Sequence, residues 1–213
     1  MGNSVRVLSQ ARKSLAPGLY TSETQGMMFS LRNHRLADVP FTRSPYVDDR
    51  PTDVVIDCLV IHGISLPPGQ FGGDGIRRLF TGTLDPAAHP YFREIEGLEV
   101  SAHAVIYRDG SIEQFVPFDR RAWHAGKSEF CGKERCNDFS IGIELEGLDD
   151  MAYEDAQYRT LAELVAAIQR HYPDITPARI VGHSDIAPGR KTDPGPAFDW
   201  VRFRRELSMI SSD

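Results

Sequence analysis

The sequence has little cysteine and no long apolar segment. Only three cysteines occur among 213 residues, an odd number that favours free thiols in a reducing compartment over a disulfide framework. No apolar run approaches the roughly 18 to 20 residues needed to cross a bilayer. The first 26 residues also lack the continuous apolar stretch of a secretory signal. These absences predict a cytoplasmic protein without a membrane partner.

Positive charge is also scarce. The chain has 24 Lys and Arg residues against 30 Asp and Glu, which gives a formal net charge of -6. Such a chain has no basic surface with which to bind nucleic acid. Its hydrophobic content of 41% and charged content of 25% are typical of a globular protein, and its length suits one domain. Nothing in the sequence indicates an obligate protein partner.

Residues 1–27 differ from the rest of the chain. They are polar, show no clear periodicity and contain Pro17, Gly18 and Gly26. We therefore expect a disordered N-terminal tail over 1–27 and one compact domain over 28–213.

Four segments have the pattern of β-strands. Residues 53–64 are mostly apolar and β-branched, as in a strand buried on both faces, and residues 139–147 alternate apolar and polar side chains. Residues 100–117 predict two strands joined at Asp109-Gly110, a strong hairpin signal. Residues 179–183 form a short strand that leads into the segment 182–200. Gly and Pro are so dense in that segment that we expect an irregular loop.

Two segments predict helices. Between 153 and 173, an apolar face repeats at helical spacing and Pro173 bars continuation; the face consists of Tyr158, Leu161, Leu164, Val165 and Ile168. A last helical stretch carries Phe198, Trp200, Phe203 and Leu207. Strands that interleave with helices predict an α/β fold with a single mixed central β-sheet flanked by helices.

Three side chains could form a metal site. His62 and His183 each lie where a predicted strand runs into a Gly/Pro-rich loop, and Asp193 follows ten residues after His183. Ends of neighbouring strands converge, so these residues could form a His2Asp site of the kind that holds catalytic zinc. The alternative is a solvated turn, and the absence of HExxH and CxxC patterns leaves it open.

Two further residues have the chemistry that a hydrolytic site needs. Glu144 lies on the polar side of the strand at 139–147, where a buried carboxylate would have a raised pKa and could act as a general base. Lys191 lies two residues before Asp193 and could stabilise a developing oxyanion. The alternatives are a solvated sheet face for Glu144 and an ordinary surface lysine for Lys191.

The remaining candidates are less specific. His103 lies within a predicted strand and is expected to be a hydrogen-bonded core histidine. Trp123 and His124 lie beside small residues, as in a ligand-lining stretch, although Trp123 could equally be core. Cys131 and Cys136 are five residues apart, which is not zinc-ribbon spacing.

Taken together, the segments resemble the type 2 N-acetylmuramoyl-L-alanine amidase family, in its cytoplasmic branch that recycles cell-wall anhydromuropeptides. The resemblance covers about residues 43–207, and the matching segments occur in order: VIHGISLPPGQFGG, LFTGTLDPAAHPYFREIEGLEVSAH, VPFDRRAWHAG, ERCNDFSIGIELEG and GHSDIAPGRKTDPGPAFDW. It implies the fold of type 2 amidases and peptidoglycan-recognition proteins.

The resemblance implies roles for nine residues. His62, His183 and Asp193 are implied as ligands of Zn²⁺, Glu144 as the catalytic carboxylate and Lys191 as the cation that meets the tetrahedral intermediate. Less specifically, the resemblance implies that substrate is bound by Tyr91, Trp123, His124 and Arg135. Arg135 would bind a diaminopimelate carboxylate. The chain departs from the family at Gly63, where relatives usually have asparagine, and at Glu99, where they often have a basic residue.

The implied reaction is hydrolysis of the amide between 1,6-anhydro-N-acetylmuramic acid and L-alanine in a soluble muropeptide. Two alternatives are an amidase that acts on intact peptidoglycan and a muropeptide-binding module without catalysis. A pure binder would be free to lose the ligands, the base or the lysine, and all five residues are present.

Overall fold

The computed structural model describes residues 29–211. The tail predicted over 1–27 therefore lies outside the described residues. The strands, in chain order, are β1 Leu31–Arg32, β2 Arg35–Leu36, β3 Val47–Asp48, β4 Cys58–Ile64, β5 Ala104–Ile106, β6 Ile112–Gln114, β7 Arg121–Ala122, β8 Glu129–Phe130, β9 Lys133–Glu134, β10 Ser140–Glu146 and β11 Ile180–Gly182. The helices are α1 Gly75–Phe80, α2 Pro90–Glu94, α3 Asp155–His171, α4 His183–Ile186 and α5 Trp200–Ile210, with single 3-10 turns at Cys136–Asp138 and Pro177–Arg179.

Five strands form one mixed sheet in the order β11-β4-β10-β5-β6. The strands β11, β4, β10 and β5 run parallel, and β6 returns antiparallel to β5 along one edge. The short pairs β1-β2, β3-β7 and β8-β9 lie outside this sheet. The predicted single mixed sheet flanked by helices is confirmed.

One face of the sheet packs against the two long helices. Alternate residues of the central strands, such as Leu59, Ile61 and Ile143, share a buried cluster with Leu161 of α3 and Phe203 of α5. Because side chains alternate along a strand, the residues between them point to the other face. The chemistry-bearing side chains of β4 and β10 lie on that second face.

Shorter elements cover the second face. The apolar residues of α1 and α2 pack with Val105 of β5 and Phe115 in one cluster. Ile186 of α4 packs with Val60 of β4 and Ala125 in another. The central strand β10 is therefore buried over its whole length.

The helix predicted between 153 and 173 is confirmed as α3. Its first turn is fixed by the Gln157 side chain, whose Oε1 accepts the Glu154 backbone N–H at 3.0 Å. The same side chain donates to the carbonyls of Ile106 and Glu146, and so ties the helix to the ends of two strands. The predicted hairpin at Asp109-Gly110 is also confirmed, because β5 and β6 pair antiparallel and Gly110 has a φ of +84°.

Three expectations need correction. The strand predicted over 53–64 begins only at Cys58, because residues 51–54 form a turn that the Val54 N–H closes on the Pro51 carbonyl. The segment 182–200 is not irregular throughout: α4 occupies its start, where the Asp185 carboxylate accepts the Gly182 N–H at 2.7 Å. The polar side of 139–147 is not a solvated face, because the neighbouring elements cover it.

Three observations complete the description. Within residues 29–211, no helix is long and apolar enough to cross a membrane. Cys58, Cys131 and Cys136 are all free thiols. His103 is fully buried with both ring nitrogens hydrogen-bonded, as expected for a core histidine.

The packing of α5 generates a stability prediction. Replacing the fully buried Phe203 by alanine should lower the free energy of unfolding by about 3–5 kcal/mol, because a large cavity would remain between α3 and α5. Val201, on the same helix, is 80% exposed, so its replacement by alanine should change stability by less than about 0.5 kcal/mol. Urea unfolding of both variants measures the difference, and equal losses would contradict this packing.

Candidate metal centre

Strand register brings His62 and Glu144 together. In the parallel pair β4-β10, His62 is the direct partner of Glu144. Direct partners point to the same face of the sheet, about 5 Å apart. Both side chains lie opposite the face that α3 and α5 cover. The pairing places an imidazole and a carboxylate side by side in a buried surface.

His183 and Asp193 approach from the neighbouring edge strand. β11 pairs with β4 on the side away from β10, and His183 begins α4 directly after it. The chain then returns, and the Ser184 N–H donates to the Asp193 carbonyl at 3.0 Å. The Tyr153 hydroxyl donates to the Pro194 carbonyl at 3.0 Å. These two hydrogen bonds hold Asp193 beside the histidines from both sides.

Three donor atoms converge to form the cluster. His62 Nδ1 lies 3.0 Å from His183 Nδ1, and Asp193 Oδ2 lies 3.2 Å from the former and 3.1 Å from the latter. Tetrahedral zinc with bonds of 2.0–2.1 Å separates its ligand atoms by about 3.3 Å. Among residues 29–211, this is the one group of His, Cys, Asp and Glu that could hold a metal ion. The donor set and its spacing fit zinc.

Both histidines point the correct nitrogen at the cluster. The remote nitrogen of His183, Nε2, lies 3.1 Å from the Ala125 carbonyl, which can only accept a proton. His183 Nε2 therefore carries the hydrogen and leaves the Nδ1 lone pair for a metal. His62 Nε2 lies 2.9 Å from His124 Nδ1, which can take the same accepting role.

Burial sets the charge state of the cluster. Desolvation lowers the pKa of His62 to about 4, so this imidazole is neutral at physiological pH and able to bind a metal. Burial opposes the charged form of Asp193, but its contacts with His183 Nδ1 and His62 Nδ1 outweigh it and hold the pKa of that carboxyl well below its usual range. The cluster thus offers the neutral imidazole of His62, a second imidazole nitrogen from His183 and one anionic oxygen.

Glu144 has a different environment. It is buried, and its Oε2 has no hydrogen-bond partner among the residues that the structure describes. Burial raises its pKa well above the usual range, the charge of Asp193 adds to this, and Lys191 opposes it. A buried carboxyl with a free oxygen and a raised pKa can both take and return a proton.

One cavity of about 290 Å³ contains the cluster and most of the other candidates. Glu144, Lys191, Tyr91, Trp123 and His124 all line it beside the three donor residues. Arg135 does not line it: this residue borders a second cavity of about 540 Å³ together with Lys127 and Arg190. Of the nine residues predicted for the site, the structure brings eight to one cavity.

Trp123 lies between two cavities. It lines the one that holds the cluster and also a shallower one that Glu99 borders. The guanidinium of Arg121 lies 4.6 Å from the centre of its ring, and Arg121 is itself paired with Asp48 and Asp138. Trp123 is therefore held by a cation on one side and presents its indole to the cavity. Glu99 lines the shallower cavity only.

His124 lines the cavity, but its polar atoms are already engaged. Its Nδ1 meets His62, and its Nε2 lies 3.3 Å from the Ser140 hydroxyl. The ring can approach because residue 142 is glycine: a Cβ there would lie 2.4 Å from the imidazole. The contacts favour a supporting role toward His62 over direct recognition of a ligand.

Gly63 also permits a close approach. A Cβ at this position would lie 2.4 Å from the Tyr153 hydroxyl, the group that donates to the Pro194 carbonyl beside Asp193. Sequence comparison alone presents Gly63 as the loss of an amide. In the structure it makes room for a hydroxyl that orients the loop of the third donor residue.

The apolar wall of the cavity was not predicted from the sequence. Leu79 and Phe80 come from α1, and Ile95, Leu98 and Val100 come from the segment after α2. Leu98 is 46% exposed, so part of this wall faces solvent. The only sequence signal was that Ile95, Leu98 and Val100 recur in a stretch that is neither helix nor strand.

Comparison with known proteins identifies the family of this chain. The sequence model of the family described as N-acetylmuramoyl-L-alanine amidase matches residues 51–196. The 1,6-anhydro-N-acetylmuramyl-L-alanine amidase AmpD of Escherichia coli is 64% identical over 161 residues, which are 76% of this chain and 87% of that protein.

Two solved structures are similar. A selenomethionine derivative of AmpD superposes with a TM-score of 0.81 at 58% identity, over 83% of this chain and 98% of that one. The amidase AmiD from Escherichia coli, solved with the substrate anhydro-N-acetylmuramic acid-L-Ala-D-gamma-Glu-L-Lys, has a TM-score of 0.53 at 28% identity and covers 84% of this chain and 65% of its own.

Removal of the anionic donor should impair metal binding. Asp193→Ala leaves only the two imidazole donors, so we expect zinc affinity to fall at least 100-fold in a competition titration with a chromogenic chelator. Asp199→Ala is the matched control, because Asp199 lies on the same segment but caps α5 through the Arg202 N–H. Equal affinity in the wild type and Asp193→Ala would remove Asp193 from the donor set.

Burial of neutral histidines predicts a pH-dependent stability of the metal-free protein. The pKa of His62 is lowered to about 4 and that of His103 to about 3, in both cases chiefly by burial. An unfolded histidine binds a proton near pH 6.5, so the unfolded state gains protons first and stability falls as the pH decreases from about 6.5 toward 4. Each histidine contributes up to about 1.4 kcal/mol per pH unit. Urea midpoints at pH 7, 6 and 5 measure this loss, and identical midpoints would contradict it.

Proposed function

This chain belongs to the N-acetylmuramoyl-L-alanine amidase family, and on that premise we propose that it is a zinc-dependent 1,6-anhydro-N-acetylmuramyl-L-alanine amidase. The bond that it hydrolyses joins the lactyl carbonyl of anhydromuramic acid to the amine of L-alanine. One observation carries the proposal: the donor atoms of His62, His183 and Asp193 converge within 3.2 Å of one another beside the buried carboxylate of Glu144.

His62, His183 and Asp193 would hold the zinc ion. A zinc ion held there would supply a Lewis acid and a bound water of lowered pKa. The two imidazoles and one carboxylate would leave a net charge of +1 with the ion, and the ring nitrogens away from the cluster are held by His124 and Ala125. The three side chains would thus hold the ion in the cavity that Glu144 and Lys191 also line.

Glu144 is the general base and then the general acid. Its free Oε2 accepts the proton of the attacking water, and the same oxygen delivers that proton to the leaving amine of L-alanine. Burial, which raises its pKa, favours the protonated form that the second half of the reaction requires. The register of β10 against β4 holds the carboxylate next to His62 through both steps.

Lys191 stabilises the negative charge that develops on the carbonyl oxygen. It lines the same cavity as Glu144, and its charge is close enough to affect the pKa of that carboxyl. An ammonium in a partly enclosed site interacts with an oxyanion more strongly than it would in water.

The cavity suits one muropeptide. Polar catalytic groups form one side, and Tyr91, Trp123 and the apolar wall around Leu98 form the other. A sugar ring with an attached peptide has apolar and polar faces of this kind. We propose Tyr91 and Trp123 as groove residues and Arg135, in the second cavity, as the partner of a carboxylate farther along the peptide.

We also propose that the enzyme acts in the cytoplasm on soluble recycling products. Its three free thiols, one of them exposed, support a reducing compartment. AmpD of Escherichia coli, which is 64% identical to this chain, is named for its 1,6-anhydro substrate. Intact peptidoglycan is the alternative substrate, and a paired assay separates it from soluble anhydromuropeptide.

The test is a paired assay on purified protein. Metal content should give one zinc per chain, and anhydromuramoyl tripeptide should be cleaved in a reaction that a chelator abolishes and added zinc restores. Soluble anhydromuropeptide should be turned over much faster than intact sacculi. Zinc without cleavage would favour a muropeptide-binding module, whereas faster release from sacculi would favour a wall-degrading amidase.

The base is tested by Glu144→Gln. This variant should retain zinc, because Glu144 is not a donor, but lose turnover by about 10²–10⁴-fold. Glu146→Gln is the control, since Glu146 is buried on the same strand but accepts from the Gly72 and Arg108 N–H groups and does not line the cavity. Near-normal turnover in Glu144→Gln would exclude it as the base.

A further inference from the structure

We propose that Asn137 is a positioning residue of the metal centre, which acts by fixing the backbone of the two residues, His124 and Ala125, that receive the hydrogens of the histidine ligands. The inference rests on the proposed zinc function and adds a residue that neither the motif nor the donor cluster indicates. Asn137 does not line the cavity that holds the cluster.

The two histidine ligands depend on two consecutive residues. His183 Nε2 lies 3.1 Å from the Ala125 carbonyl oxygen, and His62 Nε2 lies 2.9 Å from His124 Nδ1. When both Nδ1 atoms bind a metal, each neutral ring must carry its proton on Nε2. The segment 124–125 is therefore the acceptor for both rings and sets their tautomer and orientation.

Two side chains hold this segment in place: Arg190 Nη2 donates to the Ala125 carbonyl at 2.6 Å, and Asn137 binds the N–H groups before it. Asn137 Oδ1 accepts the His124 backbone N–H at 3.0 Å and the Ala125 backbone N–H at 2.8 Å. The residue is 4% exposed, so water does not compete for that oxygen. A single carbonyl oxygen thus fixes the backbone N–H of the residue whose ring meets His62 and that of the residue whose carbonyl meets His183.

Asn137 is itself held rigidly. It lies in the 3-10 turn Cys136–Asp138, and the buried guanidinium of Arg50 donates to the carbonyls of Asn137, Asp138 and Ser140 at 2.9 to 3.0 Å. The Ser140 hydroxyl donates to the Cys136 carbonyl at 2.6 Å and faces His124 Nε2. These hydrogen bonds hold the backbone of the turn at several points. They therefore resist any backbone rotation that would displace the Asn137 side chain.

These contacts distinguish a positioning role from general structural support. A residue that only stabilises the fold would affect unfolding and leave metal affinity unchanged once the protein is folded. Asn137 instead supports the acceptors of His62 and His183, and loss of such outer partners typically costs 10–100-fold in metal affinity.

The test measures zinc affinity of the full chain after metal removal, by competition with a chromogenic chelator. Asn137→Ala should bind zinc 10–100-fold more weakly than the wild type. Asn137→Asp should remain within about 5-fold, because a carboxylate oxygen can accept the same two N–H groups. Zinc affinity that is retained in Asn137→Asp but lost in Asn137→Ala identifies the acceptor oxygen as the cause, because a loss of packing would not produce this difference.

Gln114→Ala is the matched control. Gln114 is also a buried amide, 1% exposed, and its Oε1 accepts a backbone N–H, that of Leu36 in β2, far from the donor cluster. Its removal should lower stability while zinc affinity stays within about 2-fold of the wild type. Circular dichroism and urea midpoints identify the folded fraction of each variant.

The absorption spectrum of the cobalt-substituted protein is a second test. The visible absorption of Co²⁺ in place of zinc should change in Asn137→Ala, because the imidazole orientations change, and should be unchanged in Gln114→Ala. If Asn137→Ala does not fold, Asn137→Ser replaces it: the shorter side chain cannot reach both N–H groups, so affinity must still fall.

The outcomes separate this inference from the proposed function. A wild-type chain that binds no zinc overturns the zinc function, and the inference with it. A wild type that binds zinc tightly while folded Asn137→Ala or Asn137→Ser binds it equally tightly overturns the inference alone.

Discussion

The parallel pairing of β10 with β4 is the constraint on which the site depends. It makes His62 and Glu144 direct partners on one face of the sheet, and β11 on the other side of β4 delivers His183. A shift of the register by one residue would reverse the faces and place the carboxylate against α3 and α5. The apolar residues that alternate with the site residues prevent this shift, because they fill the opposite core. Core packing and catalytic geometry are thus two consequences of one register.

Burial gives the site its chemical properties and also requires its support. Desolvation keeps His62 neutral and raises the pKa of Glu144. Polar groups this deep need partners, and the structure supplies them in layers: His124 and Ala125 for the rings, then Asn137 and Ser140, then the guanidinium of Arg50. Glu144 Oε2 is left without a partner among the described residues, as the role of general base proposed for it requires.

Local sequence features predicted much of the fold. The apolar face of α3 and its stop at Pro173 required only helical spacing, and the Asp109-Gly110 hairpin required only turn chemistry. Prediction failed in three places. The start of 53–64 is not a strand, because the Val54 N–H closes a turn on the Pro51 carbonyl. The short helix α4 was missed although its cap is local, because Gly and Pro dominate the segment in which Asp185 accepts the Gly182 N–H. The polar face of β10 is buried by elements that are far away in sequence.

The sequence by itself determined which chemical groups are available: two histidines and an aspartate at strand ends, a glutamate in a strand and a lysine in a loop. Residue type and strand alternation suffice for that. Only the tertiary structure decided that the three donor atoms lie within 3.2 Å, that Gly63 admits the Tyr153 hydroxyl, and that Arg135 borders a different cavity from Trp123. The physical reason is that strand order, register and long-range hydrogen bonds join segments more than 100 residues apart, and no local pattern records those distances.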